Sequence, residues 1–316
     1  MTTLTTTTDI INDVLFRAGE PTDNTSDFES HVLDLVNRAY RAIWTGGGEF
    51  VEDMNEPWLW LKKDPPGVLI LQPSIRTGTV SVTNNSASIT FSSAPAASVA
   101  GYHFRTDDDG TVYRISAHTG GAAAATLDSV YTGLNNTAAA FRLMKLEYSL
   151  AADAMRVIAP MRVQTALTDE IDGIDLSALD LNYPLTSIEG GVPDKFAPVT
   201  ESKVRFNRYG GELSTDLLRV EYDYLAEPTA LTDDVSSIPL VPLSYRQIIA
   251  DIALFYLFTG KSDARAETIG AQARAGLKAM ASDNRARMKQ YSRSFGQVYQ
   301  RGRWTSTRSL RILVTG

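Results

Sequence analysis

Five carboxylates crowd the stretch "DEIDGIDLSALD": Asp169, Glu170, Asp172, Asp175 and Asp180. Two such groups about 5 to 9 Å apart could share the work of glycoside hydrolysis, and a tighter set could hold a cation. With no histidine nearby, a solvated acidic loop is the expected role. A second acidic run, "RTDDDGTVY", sets Asp107, Asp108 and Asp109 ahead of a glycine. It lacks the bidentate glutamate that completes a calcium loop of about twelve residues, so a hairpin turn is expected. Trp58 and Trp60 in "EPWLWLKK" would face one side of an extended segment, where they could stack on a sugar or a base. Closing the edge of a core is the expected alternative.

Other chemistry is bounded more sharply. The 316-residue chain has no cysteine, which excludes disulfides, thiolate metal sites and cysteine nucleophiles. Its three histidines, His31, His103 and His118, are too scattered for a histidine metal motif, and a structural role is expected for each. "TGGGEF" lacks the GK[ST] ending of a phosphate loop, and no GxSxG elbow is present. No nucleophile, base and orienter line up. The expectation is a protein without catalysis, cofactor or metal. The start, "MTTLTTTTDI", has no basic and apolar leader, so export by that route is not expected. The most apolar run, "IIADIALFYLF", is broken by Asp251 and is shorter than the roughly 20 residues a bilayer span needs. No membrane association is expected.

The elements that must position these residues change character along the chain. Residues 1–75 read as the N-terminal helical part of a bundle. "TDIINDVLFRAG" has Thr8 as its N-cap, apolar Ile10, Ile11, Val14, Leu15 and Ala18 on one face, and Gly19 as its stop. "SDFESHVLDLVNRAYRAIW" opens with a Ser26/Glu29 capping box and ends at the glycines 46–48. From 76 to 150, short alternating runs bounded by Gly, Asn and Asp predict an inserted antiparallel β domain. In its first hairpin Val80 and Val82 should face Ile89 and Phe91, and in its second Tyr102 and Phe104 should face Val112 and Ile115. Residues 151–243 form a mixed strand and loop region, with Leu218, Val220, Tyr222 and Tyr224 alternating in one strand. Residues 244–283 return to helices, the first opened by a Ser244/Gln247 capping box and apolar on nearly every side, the second rich in alanine. The expected fold class is α+β: a helical bundle of N- and C-terminal helices, an inserted antiparallel β domain, and an extended C-terminal tail.

That tail, 284–316, is the least ordinary segment. It holds eight of the 30 basic residues and no acidic one. What remains in 1–283 is 22 basic against 37 acidic residues, a formal charge of −15 opposed to +8. An acidic body argues against a general polyanion binder, whereas the tail seeks nucleic acid or an acidic protein surface. Tyr299 and Trp304 stand among arginines, an interface composition, and "SLRILV" could add as a strand to another chain's sheet.

The order of these motifs resembles the head-to-tail adaptor, or connector, proteins of tailed bacteriophages. The likeness runs through "EPWLWL", "TGTVSVTNNSASITF", "AGYHFRTDDDGTVYRIS", "LEYSLAADAMRVI", "GGVPDKF" and "VEYDYLAEPTALTDDVSSIPLVPLSYRQIIADIALFYLF", covering most of residues 9–283. The resemblance implies a structural virion protein at the head–tail junction, made in the host bacterial cytoplasm. It implies a homo-oligomeric ring, usually of twelve, that docks under the portal protein, extends the DNA channel and receives tail or neck proteins below. Genomic DNA would pass without sequence-specific binding. By the same likeness Tyr299, Arg301, Arg303, Trp304, Arg308, Leu310, Arg311 and Ile312 would contact the portal. A virion-associated carbohydrate-binding or carbohydrate-active protein, using Trp58, Trp60 and the acidic loop, is the alternative; a nucleic-acid module acting through the tail is a third.

Overall fold

The computed structural model describes residues 4–20, 22, 27–45, 50, 58–164, 170–211 and 217–288. The chain divides into two compact units, one of Met1–Lys62 with Pro228–Gly316 and one of Lys63–Glu227. Among the described residues there are five helices: α1 (Thr7–Ala18), α2 (Asp27–Trp44), α3 (Leu176–Asn182), α4 (Gln247–Gly260) and α5, helical from 265 to 288.

In the first unit α1, α2 and α4 pack on one another. Helix α1 starts two residues earlier than the expected Thr8 cap. Thr6 is the N-cap, accepting from Asp9 N at 3.2 Å while the Asp9 carboxylate accepts from Thr6 N at 2.9 Å. Gly19 stops the helix at φ +80°, a left-handed value that glycine adopts without a Cβ penalty. Helix α4 buries Ile248, Ile249, Ile252, Leu254, Leu257 and Phe258, as its all-round apolar character requires. Its start has no Ser244 capping box. Leu243–Tyr245 form a 3-10 turn instead, and Arg246 occupies the N-cap position. The guanidinium of Arg246 donates to Val241 O (3.0 Å), Pro239 O (3.1 Å) and Thr5 O, pinning the proline-rich approach to the chain before α1. Two glycines of α5 face α4: a Cβ on Gly276 would lie 2.8 Å from Ile248, and one on Gly270 2.9 Å from Phe255.

The second unit is made of strands. These are β1 (Gly67–Leu71), β2 (Val80–Val82), β3 (Ser88–Phe91), β4 (His103–Thr106), β5 (Tyr113–His118), β6 (Ala124–Leu127) and β7 (Asn136–Ala139). They continue with β8 (Phe141–Met144), β9 (Glu147–Ser149), β10 (Ala154–Val163), β11 (Glu170–Gly173), β12 (Lys195–Thr200), β13 (Lys203–Phe206) and β14 (Leu218–Ala226). Two seven-stranded sheets result, ordered β1-β14-β10-β11-β12-β13-β9 and β7-β2-β3-β6-β5-β4-β8. In the second sheet the two edge strands, β7 and β8, are separated in the chain by Ala140 alone, so the sheet curls until its edges nearly meet.

The expected fold class is therefore corrected: the chain is mostly β, with fourteen strands among its described residues, rather than a helical bundle carrying a small β insert. The β structure runs from Gly67 to Ala226. The reason is non-local pairing, since β1 joins β14 in the register Gly67↔Tyr222 to Leu71↔Leu218, across about half the chain. Local periodicity carries no trace of such a partner. Within the second sheet Val80 pairs with Phe91, and Val80, Val82, Ile89 and Phe91 share one core, as expected. Phe104 faces Tyr113, but Val112 packs in a separate cluster with Met144, Leu146, Ile188 and Tyr209.

The second sheet is itself inserted between β1 and β9 of the first. Its stem is closed by reciprocal backbone bonds of 3.0 Å between Ile75 and Leu143. A polar clamp adds to it: Tyr102 OH donates to Gln72 Oε1 (2.6 Å), Gln72 N donates to Tyr148 OH (2.9 Å), and the Lys145 ammonium lies 4.9 and 5.8 Å from the Tyr148 and Tyr102 rings. At the opposite edge of the first sheet, a Cβ on Gly67 would fall 2.2 Å from the Tyr222 ring, whose hydroxyl accepts from Ala151 N at 2.8 Å. Gly67→Ala is expected to cost about 1–3 kcal/mol by overpacking, seen as a lower urea midpoint; an unchanged midpoint would mean that the ring swings aside freely.

Candidate functional site

The acidic stretch is dispersed by the fold. Asp169 lies outside the described residues. Asp172 on β11 sits in register with Lys195 on β12 and accepts from its Nζ at 2.6 Å, a bond that holds the Lys195 amine above its ordinary range. Asp180 on α3 is ion-paired with Arg205 of β13, a buried residue. Asp175 occupies the N-cap position of α3 without a side-chain cap bond and lines a cleft of about 460 Å³. Leu150, Val157, Phe196 and Val204 give the cleft an apolar lining, while Arg156, Asp175 and Glu201 supply charges of both signs. Such a lining fits an apolar group with polar flanks. Of the four described carboxylates of this stretch only Asp175 lines it, so Glu170, Asp172, Asp175 and Asp180 do not converge on one centre. Among the described residues no cluster of three His, Cys, Asp or Glu side chains could hold a metal ion.

The three aspartates before Gly110 make a turn between β4 and β5. Asp109 accepts from Thr111 N (3.0 Å) and Tyr113 OH (3.2 Å), and Asp108 accepts from Asn136 Nδ2 (3.2 Å). These carboxylates order the turn and its neighbour. The tryptophans leave the extended geometry that would have put both on one side. Leu59–Leu61 is a 3-10 turn, Trp58 is buried, and its indole N–H donates to Ile43 O at 2.8 Å. Trp60 packs beside it with ring centroids 6.1 Å apart. Core closure is the role this geometry serves. His118 accepts from Val99 N at 3.2 Å through Nδ1, so its Nε2, 3.0 Å from Ala122 O, is the donor of a neutral ring.

Sequence reasoning overlooked the charged junction between the two sheets. Arg114 on β5 donates to Glu147 of β9 at 2.6 Å, and Glu147 stands opposite Arg205 in the β9–β13 register. Asp180, Arg205, Glu147 and Arg114 thus form a row of alternating sign across the junction. Its only sequence signal was isolated charges in apolar strands, which any half-exposed strand also shows. His103 lies next to this row, opposite Arg114. It is buried, and its Nδ1 has no hydrogen-bond partner among the described residues. Burial, reinforced by the nearby Arg114 and Arg205 charges and opposed by Asp128, lowers its pKa to about 4 from 6.5.

Between pH 6.5 and about 4 the unfolded chain holds a proton on this ring that the folded chain does not. The stability contributed by the neutral ring is complete above pH 6.5 and is lost as pH falls toward 4. The unfolding free energy of the wild type minus that of His103→Gln should fall by roughly 3 kcal/mol between pH 7 and pH 4. A difference constant across that range would show that the imidazole titrates alike in both states.

Tyr299, Arg301, Arg303, Trp304, Arg308, Leu310, Arg311 and Ile312 all lie outside the described residues, as do Ser26 and the glycines 46–48. Among the described residues no helix is long and apolar enough to cross a membrane. Compared with protein-family models and with curated proteins, the chain matches none.

Proposed function

We propose that this chain is a structural adaptor of a tailed-phage virion, located at the head–tail junction and acting without catalysis or cofactor. It assembles as a homo-oligomeric ring, twelve copies by resemblance, beneath the portal protein. The ring extends the DNA channel and presents a platform to tail or neck proteins. The segment after 288 docks on the portal through Tyr299, Arg301, Arg303, Trp304, Arg308, Leu310, Arg311 and Ile312.

The observation that carries this reading is the division of charge along the chain. A body of −15 repels packaged DNA wherever its carboxylates line a passage, while a tail of +8 with aromatics between the arginines suits an acidic, partly apolar protein surface. Support comes also from the helical unit. Leu59 N donates to Asn284 Oδ1 at 3.0 Å, so α5 is anchored at the residue where the tail begins. Of the residues that the carbohydrate reading would use, Trp58 is buried and Asp172 and Asp180 are ion-paired, which leaves Asp175 at the cleft.

Native mass spectrometry of the full chain and of a chain ending at Met288, each mixed with the portal ring of the same phage, tests the proposal. The shorter chain keeps the Asn284 bond to Leu59. The full chain should add to the portal in a fixed multiple and the shorter one should fail to add. Failure of both to add would overturn the adaptor reading; equal addition of both would remove the tail from the docking role.

A further inference from the structure

The segment between Leu231 and α4 has apolar residues on both of its faces. Pro239 and Val241 are buried, while Ile238, Leu240 and Leu243 are 58, 51 and 49% exposed and Val235 is 71% exposed. An ordinary surface segment alternates apolar inside with polar outside. Here the outward positions are apolar as well, and the backbone that presents them is fixed. Ser237 O accepts from both the amide and the hydroxyl of Thr7, each at 2.9 Å. Tyr40 OH accepts from Leu240 N at 3.1 Å, and Arg246 holds the carbonyls of Pro239 and Val241. Asn37 secures the upstream end, accepting from Leu231 N at 2.7 Å and donating to Leu231 O at 2.9 Å. Little conformational entropy remains to be lost when a partner covers this shelf. Two exposed carboxylates, Asp233 and Asp234, adjoin it. Both accept hydrogen bonds, from Thr8 and from Ser236 N, and neither is ion-paired among the described residues.

The same unit carries a surface of complementary character. The outward side of α5 exposes Ala271, Ala275 and Ala279 at helical spacing, a flat strip over which another backbone can approach closely. Arg274 and Lys278 flank the strip, exposed, four residues apart, and without an ion-pair partner among the described residues. Like charges at that spacing repel, so a carboxylate pair brought from outside would relieve them.

We infer that the apolar shelf Val235–Leu243 docks on the alanine strip of α5 in a second copy of this chain, with Asp233 and Asp234 meeting Arg274 and Lys278. The two surfaces differ, so the contact is heterologous: each copy offers a shelf to one neighbour and a strip to the other. Repeated by rotation, such a contact closes a ring. The inference builds on the ring in the proposed function and supplies its interface.

The absence of native cysteine makes disulfide trapping a clean test. Single variants Ile238→Cys, Leu240→Cys and Leu243→Cys on the shelf, and Ala271→Cys, Ala275→Cys and Ala279→Cys on the strip, all alter exposed side chains of the full-length chain. After mild oxidation at high concentration, shelf and strip variants mixed together should give heterodimers. A double variant such as Leu240→Cys with Ala275→Cys should give a ladder of higher multiples. Asp233→Lys with Asp234→Lys should reduce the ladder severalfold, and adding Arg274→Glu with Lys278→Glu should restore it. Absence of every cross-link, dimers from a shelf variant alone, or a ladder indifferent to the charge exchange would overturn the interface. So would charge-reversed α5 losing retention on DNA while the ladder stays intact, because the cations would then serve phosphate. None of these outcomes depends on portal, so failure here and failure of the adaptor reading are separable.

Discussion

The second unit depends on one constraint: its second sheet leaves and rejoins the first sheet through a single narrow stem. Everything between Val80 and Met144 is joined covalently to the rest of the unit by two segments of chain, with Arg105 donating to Thr186 O and Arg142 to Tyr209 OH, each at 2.8 Å, as lateral ties. Those segments are held by the Ile75–Leu143 backbone pair, the Gln72–Tyr102–Lys145–Tyr148 clamp and the Arg114–Glu147 ion pair. Two backbone bonds alone would make a weak hinge, since each contributes about 1 kcal/mol net. The clamp adds aromatic area and a partly buried ammonium, and burial lowers the Lys145 pKa. The register of β9 follows from the stem, because Tyr148 and Glu147 are the first residues of the returning strand and both are tied to it.

Around that stem the polar groups are arranged to avoid unpaired charge. Arg205 is buried, a costly position unless its guanidinium is matched, and Asp180 and Glu147 flank it. His103 takes the opposite solution. Placed near two guanidinium groups, it stays neutral. The long chain segment 170–211 is therefore fixed partly by electrostatics, with α3 anchored through Asp180 although only Leu179 of its residues is fully buried. Two carboxylates of the acidic stretch that invites a catalytic reading in the sequence, Asp172 and Asp180, are counter-ions to Lys195 and Arg205 in the fold.

Helices were readable where periodicity and end signals agreed, as in α1, with Gly19 at its end, and α4, with its uniformly apolar surface. Hairpins were readable where the partner was the next run along the chain, as with Val80 and Phe91. What escaped were the strands whose partners are remote. Strand β10 carries Pro160 and pairs on one side with β14 through an irregular register, so neither alternation nor composition marks it. The shelf was also hidden, because "SIPLVPLSYRQ" reads as an approach to a helix, and only exposure separates Pro239 and Val241 from Ile238 and Leu240. The expected caps failed for different reasons: Thr6 takes the N-cap of α1 and accepts from Asp9 N, whereas a 3-10 turn over Leu243–Tyr245 carries Ser244 away from the start of α4, whose N-cap residue Arg246 makes no side-chain cap bond.

In chain order the second sheet is inserted within the first, and residues 63–227 are inserted within the sequence of the helical unit, which bears on how the chain would carry tension. Lys63 N donates to Tyr224 O at 3.0 Å, so the second unit begins and ends at neighbouring points. Pulling on the segment beyond Met288 would load α5 first, then α4 through the Gly270 and Gly276 contacts, and then α1 through Arg17, which donates to Asp251 at 2.7 Å. Residues 63–227 lie off that route. A protein strained between two attachments on its helical unit could therefore stretch or yield there while both sheets stay folded.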